Sequence, residues 1–266
     1  MIISISCPLS TCLFLARRAT GPSLTTYVDR HEFVMSREVR KYFDEVSARW
    51  DALRQNFYGE EVRNAVLQAA RIDREDTVLD VGAGTGFLTT EAAKIARKVI
   101  ALDFSRAMTN EALSKTNGEN VEFKIGDVEK IPLEDSSVEV IIGNMILHHC
   151  PNPAIAIKEM VRVLKPSGRL VLSDLTEHEH ESLRAEHADL WLGFKMDHVK
   201  EMFTAATLKE VTVGLLGSCC TSDLESEEIK IPMFLAKGQK TDEYSRAGTH
   251  LISNNRRFLL FVRPDG

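Results

Sequence analysis

No apolar run in this 266-residue chain approaches the roughly 20 residues needed to cross a bilayer, so stable membrane insertion is not expected. Basic excess is missing too: 39 acidic against 33 basic side chains leave a formal net charge of −6. No basic stripe is evident that would hold a phosphate backbone by counterion release. Nucleic acid is therefore not the expected partner, and a small molecule is. Cysteine is scarce, five residues without the spacing of a disulfide framework, which points to a reducing compartment and a cytoplasmic location. Acidic residues are absent from Met1 to Val28, where Arg17 and Arg18 follow a short apolar run. A secretory signal would carry basic residues ahead of that run. Residues 1–34 are accordingly read as a disordered leader outside the fold, either an organellar transit peptide or a plain extension.

What is present is an apolar content of 44%, enough for one sizeable core, in strands that alternate with helical segments. That alternation predicts an α/β, doubly wound sheet. The most informative stretch is Val78-Leu79-Asp80-Val81-Gly82-Ala83-Gly84-Thr85-Gly86-Phe87. An apolar strand ends in an acid and then in three alternate glycines, a loop whose missing Cβ atoms let a ligand approach the main chain. A dinucleotide fingerprint would place its third glycine where this chain has Phe87, so a nicotinamide cofactor is disfavoured. A second apolar strand, Lys98 to Leu102, ends in Asp103, at the distance from the glycine loop where an acid accepts hydrogen bonds from ribose hydroxyls. A third strand, Val121 to Ile125, ends in Gly126-Asp127-Val128. A fourth, Val138 to Asn144, reads as buried and central.

Together these residues resemble the class I S-adenosylmethionine (SAM) dependent methyltransferases, with the helix, Pro/Gly turn and strand of Glu159 to Asp174 resembling the ubiquinone and menaquinone biosynthesis type. The resemblance covers about residues 36–240. It implies a Rossmann-like seven-stranded sheet, mostly parallel with an antiparallel last strand, in a domain spanning 35–240. It also implies a cofactor site of Asp80, Gly82, Gly84, Gly86, Asp103, Asp127, Val128 and Asn144, with Asp127 at the adenine amino group. The function implied is methyl transfer from SAM to a small-molecule acceptor. A noncatalytic SAM-binding module is the reading from another class, and the furnished substrate edge argues against it. No function is read into the tail, residues 241–266.

On the substrate side, His148 and His149 follow the fourth strand and are the candidate catalytic residues, either as a base or as positioning groups. Residues 36–58 carry Val39, Tyr42, Phe43, Val46, Trp50, Leu53 and Phe57 at helical intervals, read as one amphipathic helix. Tyr42 is a candidate substrate contact, and Trp50 either joins it or packs in the core. Residues 175–194 begin at the carboxyl end of a parallel strand, where open α/β sheets bind ligands, and form the expected substrate cover. Their His and Glu run is read as a solvated helix face, so no metal site is expected. This segment also resembles methyltransferases fused to arsenic-type repressors. After a sixth strand, Leu208 to Leu216, comes Cys219-Cys220, expected as a vicinal thiol pair facing the site. Thiolates bind soft centres, so an arsenite or other soft-element acceptor stands as the alternative.

Overall fold

A computed structural model describes residues 37–241 apart from 117, 225 and 226, and leaves the side chains of 222–228 undescribed. The leader, and the tail beyond residue 241, lie outside the described residues. Seven strands form one sheet in the order β3-β2-β1-β4-β5-β7-β6. They are β1 (Thr77–Val81), β2 (Lys98–Asp103), β3 (Val121–Ile125), β4 (Val138–Asn144), β5 (Leu164–Leu175), β6 (Leu208–Leu224) and β7 (Glu227–Lys240). The first five pair in parallel, and β7 lies antiparallel between β5 and β6. The expected sheet, with its antiparallel last strand, is the one observed.

Why the apolar runs form buried parallel strands follows from their two faces. Leu79 and Val81 point to a cluster that holds Ile157, Met160 and Phe203. Val78, Val99 and Val140 point the other way, against Val66, Ala70 and Leu88. A strand covered on both faces must be apolar throughout, not alternating. The covering helices are α3 (Glu60–Ala70), α6 (Pro153–Val163) and α8 (Met196–Ala205), joined by α5 (Arg106–Lys115) and the shorter α4 (Thr89–Ala92) and α7 (Ser182–His187). Two of them begin on polar caps: Ser105 Oγ accepts from Met108 N at 3.1 Å, and Asn152 Oδ1 accepts from Ile155 N at 3.2 Å, ahead of Pro153. Such caps satisfy orphan N–H groups of the first turn.

The structure departs from the sequence expectations in three places. The segment 36–58 is not one helix. Residues 37–46 (α1) are helical, Ser47–Arg49 tighten into a 3₁₀ turn, and α2 (Trp50–Phe57) follows. The 175–194 cover is helical only at α7. The sixth strand does not stop before the cysteines, since β6 runs on to Leu224 and pairs Cys219 with Pro232 and Cys220 with Ile231. Pro232 lacks an N–H, which a place beside a register shift tolerates.

Candidate active site

Strand order reverses between β1 and β4, and open α/β sheets bind ligands in the crevice at the carboxyl ends of such strands. Both motif loops leave the sheet there. Gly82, Gly84 and Gly86 all have positive φ, 66°, 54° and 91°, a backbone that side chains disfavour. Asp80, at the end of β1, is buried on the sheet and accepts from Thr89 Oγ1 at 2.5 Å. Burial pushes its carboxyl up to about 7, against the pull of that hydrogen bond. Asp103 closes β2 and uses both oxygens: Oδ2 accepts from Gly84 N and Oδ1 from Ser105 N, each at 2.8 Å. Burial raises it to about 6, although these two N–H groups oppose the shift. Asp103 thus shapes the glycine loop as well as facing the cleft.

The cleft encloses about 1020 Å³, counting the space open to solvent, between the glycine loop and the 175–194 cover. It abuts a second, flatter recess of about 450 Å³ walled by Leu102, Phe104, Val128, Ile146 and Pro151, with Asp127 at its edge. Gly82, Asp103 and His149 line both spaces. Asp127 is exposed and accepts from Glu129 N at 2.9 Å, while Val128 is buried beside it. Asn144 sits in the main cleft and accepts from Ser173 Oγ at 2.7 Å.

The N-terminal helices close the cleft from above. Ser105 Oγ donates to Asp44 at 2.5 Å, Thr85 Oγ1 donates to Asp51 at 2.5 Å, and Lys115 Nζ holds the other Asp51 oxygen at 2.7 Å. Trp50 lines the cleft directly above the loop, its Nε1 3.8 Å from where a Cβ on Gly84 would stand. Tyr42 lies behind this wall, its hydroxyl 3.2 Å from His187 Nδ1. Burial and the neighbouring Asp189 push its phenol up to about 12.

Under the 175–194 cover the walls are apolar, with Phe57, Tyr58, Leu175, Leu183 and Ile231 around a few polar groups. His148 is 2% exposed. Its Nδ1 lies 2.6 Å from Asp174 Oδ1 and its Nε2 3.7 Å from Asp189 Oδ1. Burial disfavours its charge, yet the two carboxylates outweigh that and push it up to about 9. Asp174 also accepts from Leu147 N at 2.8 Å and Leu175 N at 2.7 Å, so the turn after β4 is locked to the end of β5. The His148 carbonyl in turn accepts from Leu190 N and Trp191 N, which fastens the cover. The His149 ring lies tilted against that of His148 with centroids 3.9 Å apart and meets Phe43 edge-on at 4.9 Å. Burial and the neighbouring His148 hold its pKa well below the usual value.

The cysteine pair is split. Adjacent strand residues point to opposite faces, so Cys220 lines the cleft while Cys219 is exposed outside it. The expectation of two thiols facing the site fails for that reason. Burial pushes the Cys220 thiol up to about 12. Asp189 and the bracing role of Asp174 were not legible beforehand. Asp189 sits inside an acidic and histidine-rich run with no spacing to set it apart, and only the fold buries it beside His148.

Residues 79–172 match a family model described as a methyltransferase domain. The chain is 34% identical over 108 residues to an arsenite methyltransferase of Halobacterium salinarum, covering 38% of this chain and 28% of that protein. It is 31% identical over 157 residues to a ubiquinone/menaquinone biosynthesis C-methyltransferase of Desulfotalea psychrophila, covering 55% of this chain and 63% of that one. These alignments thus span less than two thirds of either relative's length. The fold is shared with a SAM-dependent methyltransferase from Thermotoga maritima at a TM-score of 0.58 and 20% identity, over 76% of this chain and 100% of that one.

Proposed function

We propose, from the premise that this chain belongs to the SAM-dependent methyltransferases, that it methylates a small acceptor with a largely apolar body. The observation that carries this reading is the continuity of the cleft. One space runs from the glycine loop and Asp103 to the apolar wall under the 175–194 cover, so donor and acceptor can meet in one cleft.

Asp103 supplies acceptor lone pairs for the ribose, and the recess beside Val128 takes a flat ring with Asp127 at its polar edge. The buried Asp80 carboxylate favours the cationic amino-acid end beside the glycine loop. SAM, when bound, supplies an electrophilic methyl group on a sulfonium. Transfer from such a centre is an in-line displacement, and most of its acceleration comes from holding the reacting atoms aligned in a water-poor pocket. Trp50, Phe57 and Tyr58 exclude water, and the hydrogen bonds of Asp44 and Asp51 hold the closing helices down. His148, clamped by Asp174, positions the acceptor end and is not poised as a free base.

The test is release of S-adenosylhomocysteine with a panel of apolar phenols, quinols and thiols, against arsenite with a thiol reductant. Turnover with an apolar organic acceptor is expected. Turnover with arsenite alone, abolished in Cys220→Ser, would replace this reading with the soft-element one.

A further inference from the structure

The acceptor end of the cleft contains a cluster that neither core packing nor donor binding requires. His148, His149 and Asp189 each offer one ligand atom, all within 4.8 Å of one another, and all three residues are buried. His148 Nε2 lies 3.7 Å and His149 Nδ1 4.0 Å from Asp189 Oδ1. Both separations exceed hydrogen-bond length, and His149 Nδ1 rests instead 3.3 Å from the Ala188 carbonyl oxygen, a contact that an ion would replace. Ligands about 2.0–2.2 Å from a tetrahedral zinc-sized ion stand about 3.4 Å apart, so the two separations from Asp189 Oδ1 would close by only a few tenths of an ångström. On its far side, His148 Nδ1 is held by Asp174 Oδ1 at 2.6 Å. That bond points Nε2 at Asp189 and fixes the tautomer, the arrangement in which a carboxylate orients a metal-binding histidine. His187, also on the cleft wall, has a buried Nε2 with no partner among the described residues.

We propose that His148, His149 and Asp189 form a binding site for one divalent borderline cation of the zinc class, whose open positions face the acceptor end of the cleft. Imidazole suits such ions, and the two carboxylates flanking His148 favour a cation over an empty site. Three protein ligands leave coordination open, as in catalytic rather than structural sites. The role, which rests on the methyl-transfer reading, is to hold an acceptor by its thiol or hydroxyl. The ion's charge lowers the pKa of that group, and its proton passes to solvent water. The lone pair so exposed bonds to the methyl carbon as the carbon–sulfur bond of the sulfonium breaks, and that electron pair returns to sulfur. The binding itself does not depend on this role.

The test is titration of chelator-treated full-length protein with Co²⁺, read by its visible absorption, and zinc content after dialysis against Zn²⁺. One equivalent is expected. His149→Ala and Asp189→Asn should each weaken Co²⁺ binding at least about tenfold, whereas a His178→Ala, His180→Ala double variant should bind as the native chain does. S-adenosylhomocysteine calorimetry on every protein separates the two readings. Retained affinity shows an intact fold and donor site whichever way the metal result falls, and His149→Gln replaces any variant that loses it. Absence of stoichiometric Co²⁺ and Zn²⁺ binding by the native chain, or unchanged binding in the folded His149 and Asp189 variants, overturns the site.

Discussion

Asp103 shows how much one carboxylate can organise. Its two oxygens fix the glycine loop through Gly84 N and the start of α5 through Ser105 N, and the same group lines the cleft, where the proposed reading puts the ribose. Asp103→Ala removes an ionised acceptor, a loss on the order of 2 kcal/mol, or roughly 30-fold in affinity. Calorimetry with S-adenosylhomocysteine reads it, and unchanged affinity would sink the assignment. The pH profile gives a second check. Burial raises the folded pKa values of Asp103 to about 6 and Asp80 to about 7, both above the ordinary carboxylate value. The anions that the proposed donor site assigns to the ribose and to the amine therefore appear as pH rises through that window. Donor affinity should climb from about pH 6 to above pH 7 and flatten beyond. A flat profile would mean that neither carboxyl titrates there.

Among the elements, the 175–194 cover depends on one close approach. Gly193 has φ 68°, and a Cβ there would lie 2.1 Å from the Thr176 carbonyl oxygen and 2.8 Å from that of Leu175. These are backbone atoms, which cannot swing aside as a side chain does. They belong to the bridge that docks Phe194 beside Thr176 and the end of β5. Gly193→Ala should cost about 2 kcal/mol or more, measured by urea unfolding, with donor affinity little changed because the glycine loop lies elsewhere. The apolar runs that predicted β1, β2 and β4 were legible because both faces of those strands are buried. The extension of β6 past Leu216 was not, since Gly217, Ser218, Cys219 and Cys220 carry the composition of a loop and become strand only by pairing with β7. The break in the N-terminal helix is likewise tertiary: Asp44 and Asp51 reach down to different loops.

For the whole molecule, the buried Asp174–His148–Asp189 array ties β4, β5 and the cover together. The folded pKa of His148, about 9, lies above its ordinary value of 6.5. The stability it contributes is therefore fully present below pH 6.5 and is lost as pH rises through about 9. The amount is on the order of 3.5 kcal/mol, since one pKa unit corresponds to about 1.4 kcal/mol. Melting temperature measured with a chelator present should fall across that range, and His148→Asn should flatten the slope. By itself the sequence picked out the residues proposed for the donor half of this protein. An acid before alternate glycines, an acid at the end of β2 and a Gly-Asp after β3 are local patterns, each written within one strand and its following loop. At the other end the sequence offered His148, His149 and the 175–194 cover, but only the tertiary structure decided what surrounds them. Asp174, Asp189, His148 and His149 come from three separate segments, and no periodicity links them. Their burial, their shared charges and the split of Cys219 from Cys220 follow from how β5, the cover and the β6–β7 hairpin meet at one edge of the sheet.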